Sequence, residues 1–349
     1  MVLFESIYLM KLLNGEITNR MNFSKSRLKE LSNNFSGKQI AVIGDMMLDC
    51  YFWGDVKRIS PEAPVPVVEI DDEFFRFGGA ANVALNISSL GGIPIPLGVV
   101  GNDNDGNIFQ KLIDEKNIDS SGLIIDNSRP TTAKTRVIAG KQHIVRIDKE
   151  SKQNISKESE DKILGKLRSE LKNIDAIILQ DYNKGVLTPR LIEKVIDLAI
   201  KNKIIITVDP KFNNFFKYTN VTLFKPNRKE TEDVLGTHMM NDEDIHNSGH
   251  QLLEKLNAKY VLLTLGEKGV ALFEKGKKTV KRIPTKARKV SDVSGAGDTV
   301  IATLTIALAA GAKIDEAAYL ANYAGGLVCE EVGIVPIQKN KLFDTVAEE

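Results

Sequence analysis

A run of small residues that leads into an apolar helical stretch has the composition of an anion-binding site. Residues 292–299 read Asp-Val-Ser-Gly-Ala-Gly-Asp-Thr, and the apolar stretch covers residues 300–310. Small side chains let the backbone approach a ligand closely, and the free N–H groups and dipole at a helix start favour an anion. The segment is therefore predicted to bind a phosphate or to stabilise negative charge that develops in a reaction.

Asp298 lies at the same helix start and is the candidate for proton transfer. A carboxylate beside an anion site cannot itself help to bind phosphate, so it is expected to take a proton from an attacking hydroxyl group. The alternative is that Asp298 only caps the helix. Competing motifs are missing: the sequence contains no G-x-x-x-x-G-K-[ST], G-x-S-x-G or H-E-x-x-H, and Val300 stands where a dinucleotide fingerprint has its third glycine.

Two further groups of residues could contact a ligand. Gly78-Gly79 opens a helix and permits close approach, and Asn82 offers both a donor and an acceptor to hydroxyl groups. Asp45 follows the first predicted strand and Asp49 comes four residues later, at the strand end where α/β sheets bind ligands. Because turns need Gly, Asn and Asp regardless of function, a purely structural role stays open for each.

Asn227 and Glu230 are spaced to share one face at the start of a helix. Their oxygen atoms could hold hydrated Mg²⁺ near phosphates. The alternative is an Asn cap with Glu in the capping-box position. His246 and His250 have the i, i+4 spacing of metal ligands, but the acidic residues before them favour a solvated helix face.

Composition argues against several classes of partner. Lys and Arg total 47 and Asp and Glu total 46, so the net charge of +1 gives no overall field for nucleic acid or an anionic membrane. The most apolar stretch, residues 299–312, is shorter than the roughly 20 residues of a spanning helix, so no membrane span is expected. Two cysteines, Cys50 and Cys329, make no disulfide framework, which favours a cytoplasmic location.

The elements that must position these residues alternate between short β-branched runs and longer amphipathic runs, as in βαβ units around a mostly parallel sheet. The predicted strands cover residues 40–43, 176–179, 204–208 and 260–264, and the predicted helices cover residues 156–171, 189–201 and 242–256. Residues 1–36 are interpreted as an N-terminal extension and residues 37–349 as one domain. Two regions, at about residues 50–77 and 131–148, depart from this alternation. They are predicted to form either a small β-sheet flap over a ligand site or a β extension that only packs against the domain.

Taken together and in this order, the segments resemble the ribokinase-like (phosphofructokinase-B) sugar kinases. The resemblance covers the chain from about Lys38 onward and is carried by Gly44-Asp45, residues 78–82, Asp181-Tyr182-Asn183-Lys184-Gly185, residues 227–230 and residues 292–299. It implies an α/β fold with a ribokinase-like, mostly parallel central sheet flanked by helices and a small β-sheet flap. It also implies ATP-dependent phosphorylation of a sugar.

The resemblance further implies roles for individual residues. Asp298 would be the base, with an anion hole made of Gly295, Ala296 and Gly297. The sugar would be held by Asp45, Asp49, Arg58, Gly78, Gly79, Asn82 and Lys184. The ATP site would be lined by Asn227, Glu230, Thr264, Gly266, Gly269 and Asn322, with Asn227 and Glu230 organising Mg²⁺ through water. Asp292 and Ser294 resemble part of a loop that binds a monovalent cation such as K⁺, although relatives usually have Thr where Ser294 stands.

Within this family, residues 58–67 and Asp209-Pro210-Lys211 look like segments of D-glycero-β-D-manno-heptose-7-phosphate kinases. The resemblance implies phosphorylation of the anomeric C1 hydroxyl to give the 1,7-bisphosphate for ADP-heptose and lipopolysaccharide core synthesis. Arginine matches phosphate with paired N–H donors. Five basic residues of the flap regions could bind the substrate phosphate, or be ordinary solvated charges: Arg58, Arg76, Lys134, Arg136 and Arg146. The resembling segment singles out Arg58.

Other functions stay open at this point. The substrate could be another sugar phosphate or a nucleoside, and a non-catalytic sugar or nucleotide sensor could share the scaffold, although retention of Asp298 argues against the sensor. Flap strands in this family commonly pair across a dimer, so a homodimer is expected. Bifunctional relatives carry a C-terminal nucleotidyltransferase with an HxGH-type motif, which this sequence lacks, so a separate adenylyltransferase is expected.

Overall fold

The computed structural model describes residues 16–18, 23–140, 142–285, 291–331 and 333–348. Over these ranges the strands are β1 (Glu16–Thr18), β2 (Gln39–Gly44), β3 (Met46–Ile59), β4 (Pro66–Gly78), β5 (Ile93–Gly101), β6 (Leu123–Asp126), β7 (Thr132–Ala139), β8 (Gln142–Lys149), β9 (Ala176–Gln180), β10 (Ile205–Asp209), β11 (Leu223–Phe224), β12 (Tyr260–Thr264), β13 (Val270–Glu274) and β14 (Val280–Ile283). They form two separate sheets, a large main sheet and a smaller one.

The α-helices of the same ranges are α1 (Lys25–Phe35), α2 (Gly79–Ser89), α3 (Asn104–Glu115), α4 (Lys157–Glu170), α5 (Pro189–Lys201), α6 (Arg228–Leu235), α7 (Asp242–Leu256), α8 (Ala296–Ala309), α9 (Ile314–Cys329) and α10 (Lys339–Ala347). Two 3₁₀ helices occupy Phe212–Lys217 and Gly266–Lys268. In this part of the chain no helix is both long enough and apolar enough to cross a bilayer.

The main sheet has the strand order β1-β14-β13-β12-β11-β10-β9-β2-β5-β6. Its strands run parallel except that β13 is antiparallel to both of its neighbours. The predicted strands and helices are confirmed to within one or two residues at their ends; Ser156, for example, lies just outside α4 and caps it by accepting the Ser159 N–H. The predicted fold class, α/β with a mostly parallel central sheet, is therefore confirmed.

The second sheet, which we call the flap sheet, has the strand order β4-β3-β7-β8. It is joined to the carboxyl edge of the main sheet, because β3 begins two residues after β2 ends and β4 leads directly into α2. Residues paired across neighbouring strands share a face of a sheet. Tyr51 and Arg136 are paired on one face, and Phe52 and Val137 are paired on the other. The two faces of the flap sheet thus differ in chemical character.

Helix α8 runs through the core next to the carboxyl edge of the main sheet. It packs against α2, α9 and the strands β9 and β10, and its residues from Asp298 to Ala307 are all buried. A helix that is apolar nearly all round is stable only in such a surrounding. The fold therefore buries α8 from Asp298 onward, whereas the predicted anion-binding turn before it stays accessible, with Gly295 and Ala296 half-buried and Gly297 exposed.

Helix α1 lies within the predicted N-terminal extension and contributes to the core. Leu28, Leu31 and Phe35 are buried in the same cluster as α2, α8 and α9. Arg27 donates to the Glu316 carboxylate of α9 at 2.8 and 3.0 Å. The described part of this segment is thus docked on the domain, while the boundary at residue 36 stays a prediction.

Candidate active site

The Asp298 carboxylate is buried, with 2% exposure, and is held by three side-chain donors. Asn82 Nδ2 lies 2.8 Å from Oδ2, while Gln180 Nε2 and the Tyr182 hydroxyl lie 3.1 and 2.7 Å from Oδ1. These donors come from α2, from the end of β9 and from the loop after it, between 116 and 216 residues away in sequence. Separate elements of the fold therefore converge on this one carboxylate.

Burial raises the pKa of Asp298 to about 7, because desolvation penalises the charged form. Hydrogen bonds from Asn82 and Tyr182 oppose this rise, and the negative charge of Asp209 adds to it. A pKa near neutrality suits a group that accepts a proton at physiological pH. The N-cap of α8 is Gly295 and the described contacts of Asp298 are to other elements, so the carboxylate does not serve as a helix cap.

Gly295, Ala296 and Gly297 form the turn that starts α8. Gly295 has a φ of +78°, in the left-handed region that favours glycine, and a Cβ added there would lie 3.0 Å from Asn82 Nδ2. The first N–H groups of a helix have no partner within it and carry the positive end of the dipole. This end of α8 can therefore receive an anion beside the Asp298 carboxylate.

A buried ion pair, to which the sequence alone assigned no role, lies next to this turn. Lys225 Nζ is 3.0 Å from Asp209 Oδ1, and the two side chains are 3% and 8% exposed. A Cβ added to Gly297 would lie 3.7 Å from Lys225 Nζ. Asp209 ends β10 and Lys225 follows β11, so the carboxyl ends of two paired strands bring these residues together. For Asp209, its position directly after the predicted strand of residues 204–208 was the signal available in the sequence.

Asp45, a predicted sugar ligand, is directed into the loop that follows β9. Its carboxylate accepts the backbone N–H groups of Tyr182, Lys184 and Val186 at 2.8, 3.1 and 3.1 Å, and burial raises its pKa. Asp45 therefore holds this loop in place. The Lys184 ammonium pairs with Glu150 at 2.6 Å. Direct contact of Asp45 or Lys184 with a sugar stays a prediction.

Asp49 is buried against the start of α2. It pairs with Arg136, and a Cβ added to Gly78 would lie 2.3 Å from its Oδ2 atom. A Cβ added to Gly79 would lie 2.5 Å from the backbone oxygen of Asp45. Both glycines of the pair are thus required by close approach of the chain segments that carry the two aspartates.

A cavity of about 530 Å³ is lined by the flap sheet and by the loop before α8. On the flap side, the guanidinium carbons of Arg76 and Arg136 lie 5.8 and 5.1 Å from the centre of the Tyr51 ring. The other side carries Asp292 and Ser294. Two cations stacked on one aromatic ring give the flap wall a positive charge close to the anion-binding turn.

The other basic residues of the flap are placed differently. Arg58 is exposed near the outer end of β3, and it is not among the cavity-lining residues in the described ranges. Lys134 and Arg146 both pair with Asp148, at 3.3 and 2.9 Å. The structure thus brings two of the five predicted basic residues to the cavity, and a substrate contact of Arg58 stays a prediction.

Asn227 and Glu230 form a reciprocal capping box at the start of α6. Asn227 Oδ1 accepts the Glu230 N–H at 2.8 Å, and Glu230 Oε2 accepts the Asn227 N–H at 2.9 Å. The other Glu230 oxygen pairs with Lys211. Burial opposes the Lys211 charge, but the carboxylates of Asp209 and Glu230 outweigh it and raise the Lys211 pKa. The capping alternative is confirmed, and Glu230 also belongs to a charged cluster beside Asp209.

The predicted nucleotide residues gather around the end of β12. They are Thr264, Gly266, Gly269 and Asn322. Thr264 forms a backbone bridge with Asn227, which links the end of β12 to the start of α6. Gly269 and Asn322 both approach Pro284: a Cβ at Gly269 would lie 2.7 Å from its carbonyl carbon, and Asn322 Nδ2 donates to its oxygen at 2.9 Å. The four residues thus belong to one neighbourhood.

Asp292 organises the loop before α8. Its two oxygens accept the N–H groups of Ser294 at 2.9 Å and Gly333 at 3.1 Å. Burial opposes ionisation, but these hydrogen bonds outweigh it and lower the pKa of Asp292. Arg76 Nη1 donates to the Ile334 oxygen at 2.6 Å, so the same loop region is also joined to the flap sheet. Cation binding at Asp292 and Ser294 stays a prediction.

A buried carboxylate with a pKa near neutrality beside a helix start, with two arginines in the cavity next to it, is an arrangement suited to phosphoryl transfer. Comparison with known proteins identifies the class: residues 38–340 match the pfkB family of carbohydrate kinases. The chain belongs to this family and is an ATP-dependent sugar kinase.

Curated relatives and solved structures agree with this assignment. The bifunctional protein HldE of Geobacter sulfurreducens is 45% identical over 292 residues, which are 84% of this chain and 59% of that relative. The chain thus spans about three fifths of that relative's length. Arabidopsis thaliana ribokinase, solved with ribose and ATP, has a TM-score of 0.70 and 19% identity over 90% of this chain and 99% of that one. Escherichia coli phosphofructokinase-2, solved in complex with potassium, has a TM-score of 0.70 and 19% identity over 89% and 99%. These two structures establish the fold.

Proposed function

We propose that this kinase phosphorylates the anomeric hydroxyl of D-glycero-β-D-manno-heptose 7-phosphate to give the 1,7-bisphosphate, a step toward ADP-heptose and the lipopolysaccharide core. The observation that carries the proposal is the cavity wall of Arg76 and Arg136, since a sugar that already bears a phosphate presents a dianion. The resemblance of residues 58–67 and 209–211 to heptose-phosphate kinases supports the same substrate, as does 45% identity to a relative named bifunctional protein HldE.

The residues around Asp298 supply the parts that phosphoryl transfer needs. Asp298 accepts the proton of the sugar hydroxyl, whose oxygen attacks the γ-phosphorus of ATP. The turn at Gly295, Ala296 and Gly297 receives the negative charge of the transferring group, and Lys225 adds positive charge beside Gly297. The flap sheet limits access of water to the cavity.

Both flap arginines keep donors for the substrate phosphate. Arg76 uses one N–H group on Ile334, and Arg136 bonds Asp49 and the Lys134 oxygen through one nitrogen, Nη1. Arginine carries five N–H donors, so with respect to the residues that the structure describes both retain several for an anion. A nucleoside or an unphosphorylated sugar would leave the two guanidinium groups without that anion, which disfavours both substrates. A sensor without activity would have no use for a buried base.

Mg²⁺ would be organised through water by Asn227 and Glu230, and it would neutralise charge on the phosphates of ATP. The donor set fits: the Glu230 side chain is 12% exposed and its charged neighbours are Lys211 and, beyond it, Asp209. The capping hydrogen bond uses one Glu230 oxygen and Lys211 pairs with the other. Each carboxylate oxygen has two lone-pair sites, so each could still accept a hydrogen bond from a water molecule of the ion.

K⁺ would bind at Asp292 and Ser294. The lowered pKa of Asp292 keeps a negative charge in the loop before α8, which fits a cation ligand. The potassium complex of Escherichia coli phosphofructokinase-2, which shares the fold, also supports this proposal.

A coupled assay of ADP production over a panel of acceptors tests the proposed substrate. The panel contains heptose 7-phosphate, unphosphorylated heptose, other sugar phosphates and nucleosides, and the Asp298→Asn protein serves as the control for contaminating ATPase activity. We expect the highest kcat/KM with heptose 7-phosphate. Equal values for the phosphorylated and unphosphorylated heptoses would contradict the proposal and leave a sugar kinase of other specificity.

We also propose that the kinase is a homodimer that pairs through the outer face of the flap sheet, opposite the cavity. Val137 is paired with Val145 on this face, and Val145, Ile147 and Ile70 are 48%, 55% and 46% exposed. An exposed apolar face of this kind is typical of an interaction site. A second copy of the same face is complementary to it under two-fold symmetry.

Sedimentation analysis tests the dimer. Ile147→Lys places a charge on the outer face and is expected to give monomers at concentrations where the wild type is dimeric. Ile200→Lys is the matched control, because Ile200 is 52% exposed in α5, outside the flap sheet. A monomeric wild type, or a dimeric Ile147→Lys protein, would contradict the proposal.

A further inference from the structure

The two oxygens of the Asp298 carboxylate are not equivalent. Within the described ranges, Oδ1 accepts hydrogen bonds from Gln180 Nε2 and from the Tyr182 hydroxyl, whereas Oδ2 accepts one bond, from Asn82 Nδ2. A carboxylate has about four lone-pair sites, two on each oxygen. Oδ1 is therefore saturated by its two donors, and Oδ2 keeps one free site.

The orientation of the Gln180 amide follows from its surroundings. Nε2 lies 3.1 Å from Asp298 Oδ1 and 3.1 Å from Asp209 Oδ2, so one amide group bridges two carboxylates. If the amide were flipped, its oxygen would face two acceptors, which is chemically unfavourable. Gln180 is 1% exposed, and its Oε1 atom has no hydrogen-bond partner in the described ranges. The amide is thus held in place by donation to the carboxylates alone.

We propose that Gln180 and Tyr182 are positioning residues that occupy Oδ1 and leave Oδ2 as the atom that accepts the proton of the sugar hydroxyl. This inference rests on the proposed function, because it requires a hydroxyl acceptor. In the step, the O–H bond of the sugar breaks and its proton goes to Oδ2. The sugar oxygen forms the new bond to the γ-phosphorus, and the bond to the leaving ADP oxygen breaks with its electron pair on ADP.

The two donors also set the acidity of the base. A hydrogen bond to the charged form of a carboxylate favours that form, so loss of a donor raises the pKa. The ionisable groups that face Asp298 are Tyr182 from the loop after β9, Asp209 from β10, Lys225 from the segment after β11, and Lys211. Gln180 Nε2 also lies between the Asp298 and Asp209 carboxylates and donates to both. Without this donor the two negative charges would repel each other more strongly, which also raises the Asp298 pKa. Both effects act in the same direction.

The pH dependence of kcat/KM for the sugar tests the proposal. We expect the activity to rise with pH in the wild type, and we expect Gln180→Met and Tyr182→Phe each to move this rise upward by about one pH unit. At pH 7 both variants should turn over more slowly, with the KM for ATP little changed. Thr207→Val is the matched control: it removes a buried 2.7 Å contact between β10 and α8, to Thr305, without touching Asp298.

The outcomes separate this inference from the proposed function. A wild type without kinase activity on the sugar would contradict the proposed function itself. An active wild type whose Gln180→Met and Tyr182→Phe variants keep the wild-type pH dependence would overturn the positioning roles. If Gln180→Met fails to fold, Tyr182→Phe provides the same readout, since it keeps the ring and loses only the hydroxyl group. A shift of equal size in Thr207→Val would mean that lost stability, rather than lost donation, moves the profile.

Discussion

Lys225 and Asp209 form a 3.0 Å ion pair that is almost completely buried beside Gly297. Removing one partner of a buried pair leaves an uncompensated charge, whereas the complete pair is tolerated. In this site the pair also borders the turn that we propose receives the transferring phosphoryl group. Its two residues are therefore expected to affect both stability and turnover.

Lys225→Met should lower the free energy of unfolding by about 3–5 kcal/mol, because it strands the Asp209 charge. The double variant Lys225→Met, Asp209→Asn should recover much of that stability without recovering turnover, since the positive charge beside the phosphoryl site stays absent. Urea denaturation and steady-state kinetics on the three proteins measure this. Full activity in the stable double variant would show that Lys225 serves the fold alone.

Asp298→Asn should lower kcat by about 10²–10⁴-fold, the usual cost of losing a general base. ATP binding should stay nearly intact, because the residues proposed for the nucleotide lie around the end of β12 and the start of α6. Turnover measurements and calorimetric titration with ATP check the two expectations. A folded Asp298→Asn protein with wild-type turnover would show that Asp298 is not the general base.

The raised pKa of Asp298 also makes stability depend on pH. The folded chain holds the proton up to about pH 7, while an unfolded chain releases it near the ordinary value of 3.8, so this group's contribution to stability falls as pH rises between the two. The Asn variant does not titrate, so between pH 5 and pH 8 the wild type should lose stability relative to this variant, by on the order of a few kcal/mol. Thermal unfolding of both proteins at pH 5 and pH 8 tests this, and a stability difference that stays the same at the two pH values would contradict it.

Glu230→Gln should raise the Mg²⁺ concentration needed for half-maximal rate, because it removes a charge that orders the water around the ion. The chain offers a matched control, since α7 starts with a capping box of the same kind, made by Asn241 and Asp244. Asp244→Asn should lower stability by a similar amount and leave the Mg²⁺ dependence unchanged. If Glu230→Gln behaved like this control, its role would be capping alone.

Arg76→Ala should remove much of the preference for phosphorylated over unphosphorylated heptose, since each charge-assisted contact to phosphate contributes on the order of 1.5–3 kcal/mol. Arg146→Ala, on the same sheet but paired with Asp148, is the control and should change little. Arg58→Ala tests the alternative, predicted from the sequence, that Arg58 rather than a cavity arginine binds the substrate phosphate. A loss of preference in Arg58→Ala with none in Arg76→Ala would assign the substrate phosphate to the outer end of β3.

The fold class and the candidate for the base, Asp298, could both be predicted from local sequence patterns. Strands such as β9 and β10 are short apolar runs buried on both faces, so their type can be recognised locally. The anion-binding turn and Asp298 are contiguous, because a helix start and its first turn must be adjacent in the chain. The capping box of Asn227 and Glu230 was recognisable for the same reason, since it spans only four residues.

The residues that surround Asp298, and the flap residues that face the cavity, could be identified only from the folded chain. Asn82, Gln180 and Tyr182 reach Asp298 from elements far apart in sequence, and no local pattern encodes such a meeting. In a strand, the face on which a side chain lies changes wherever the register shifts. Between Tyr51 and Arg58 strand β3 has two such shifts, and only the folded sheet showed that Arg58 lies outside the cavity.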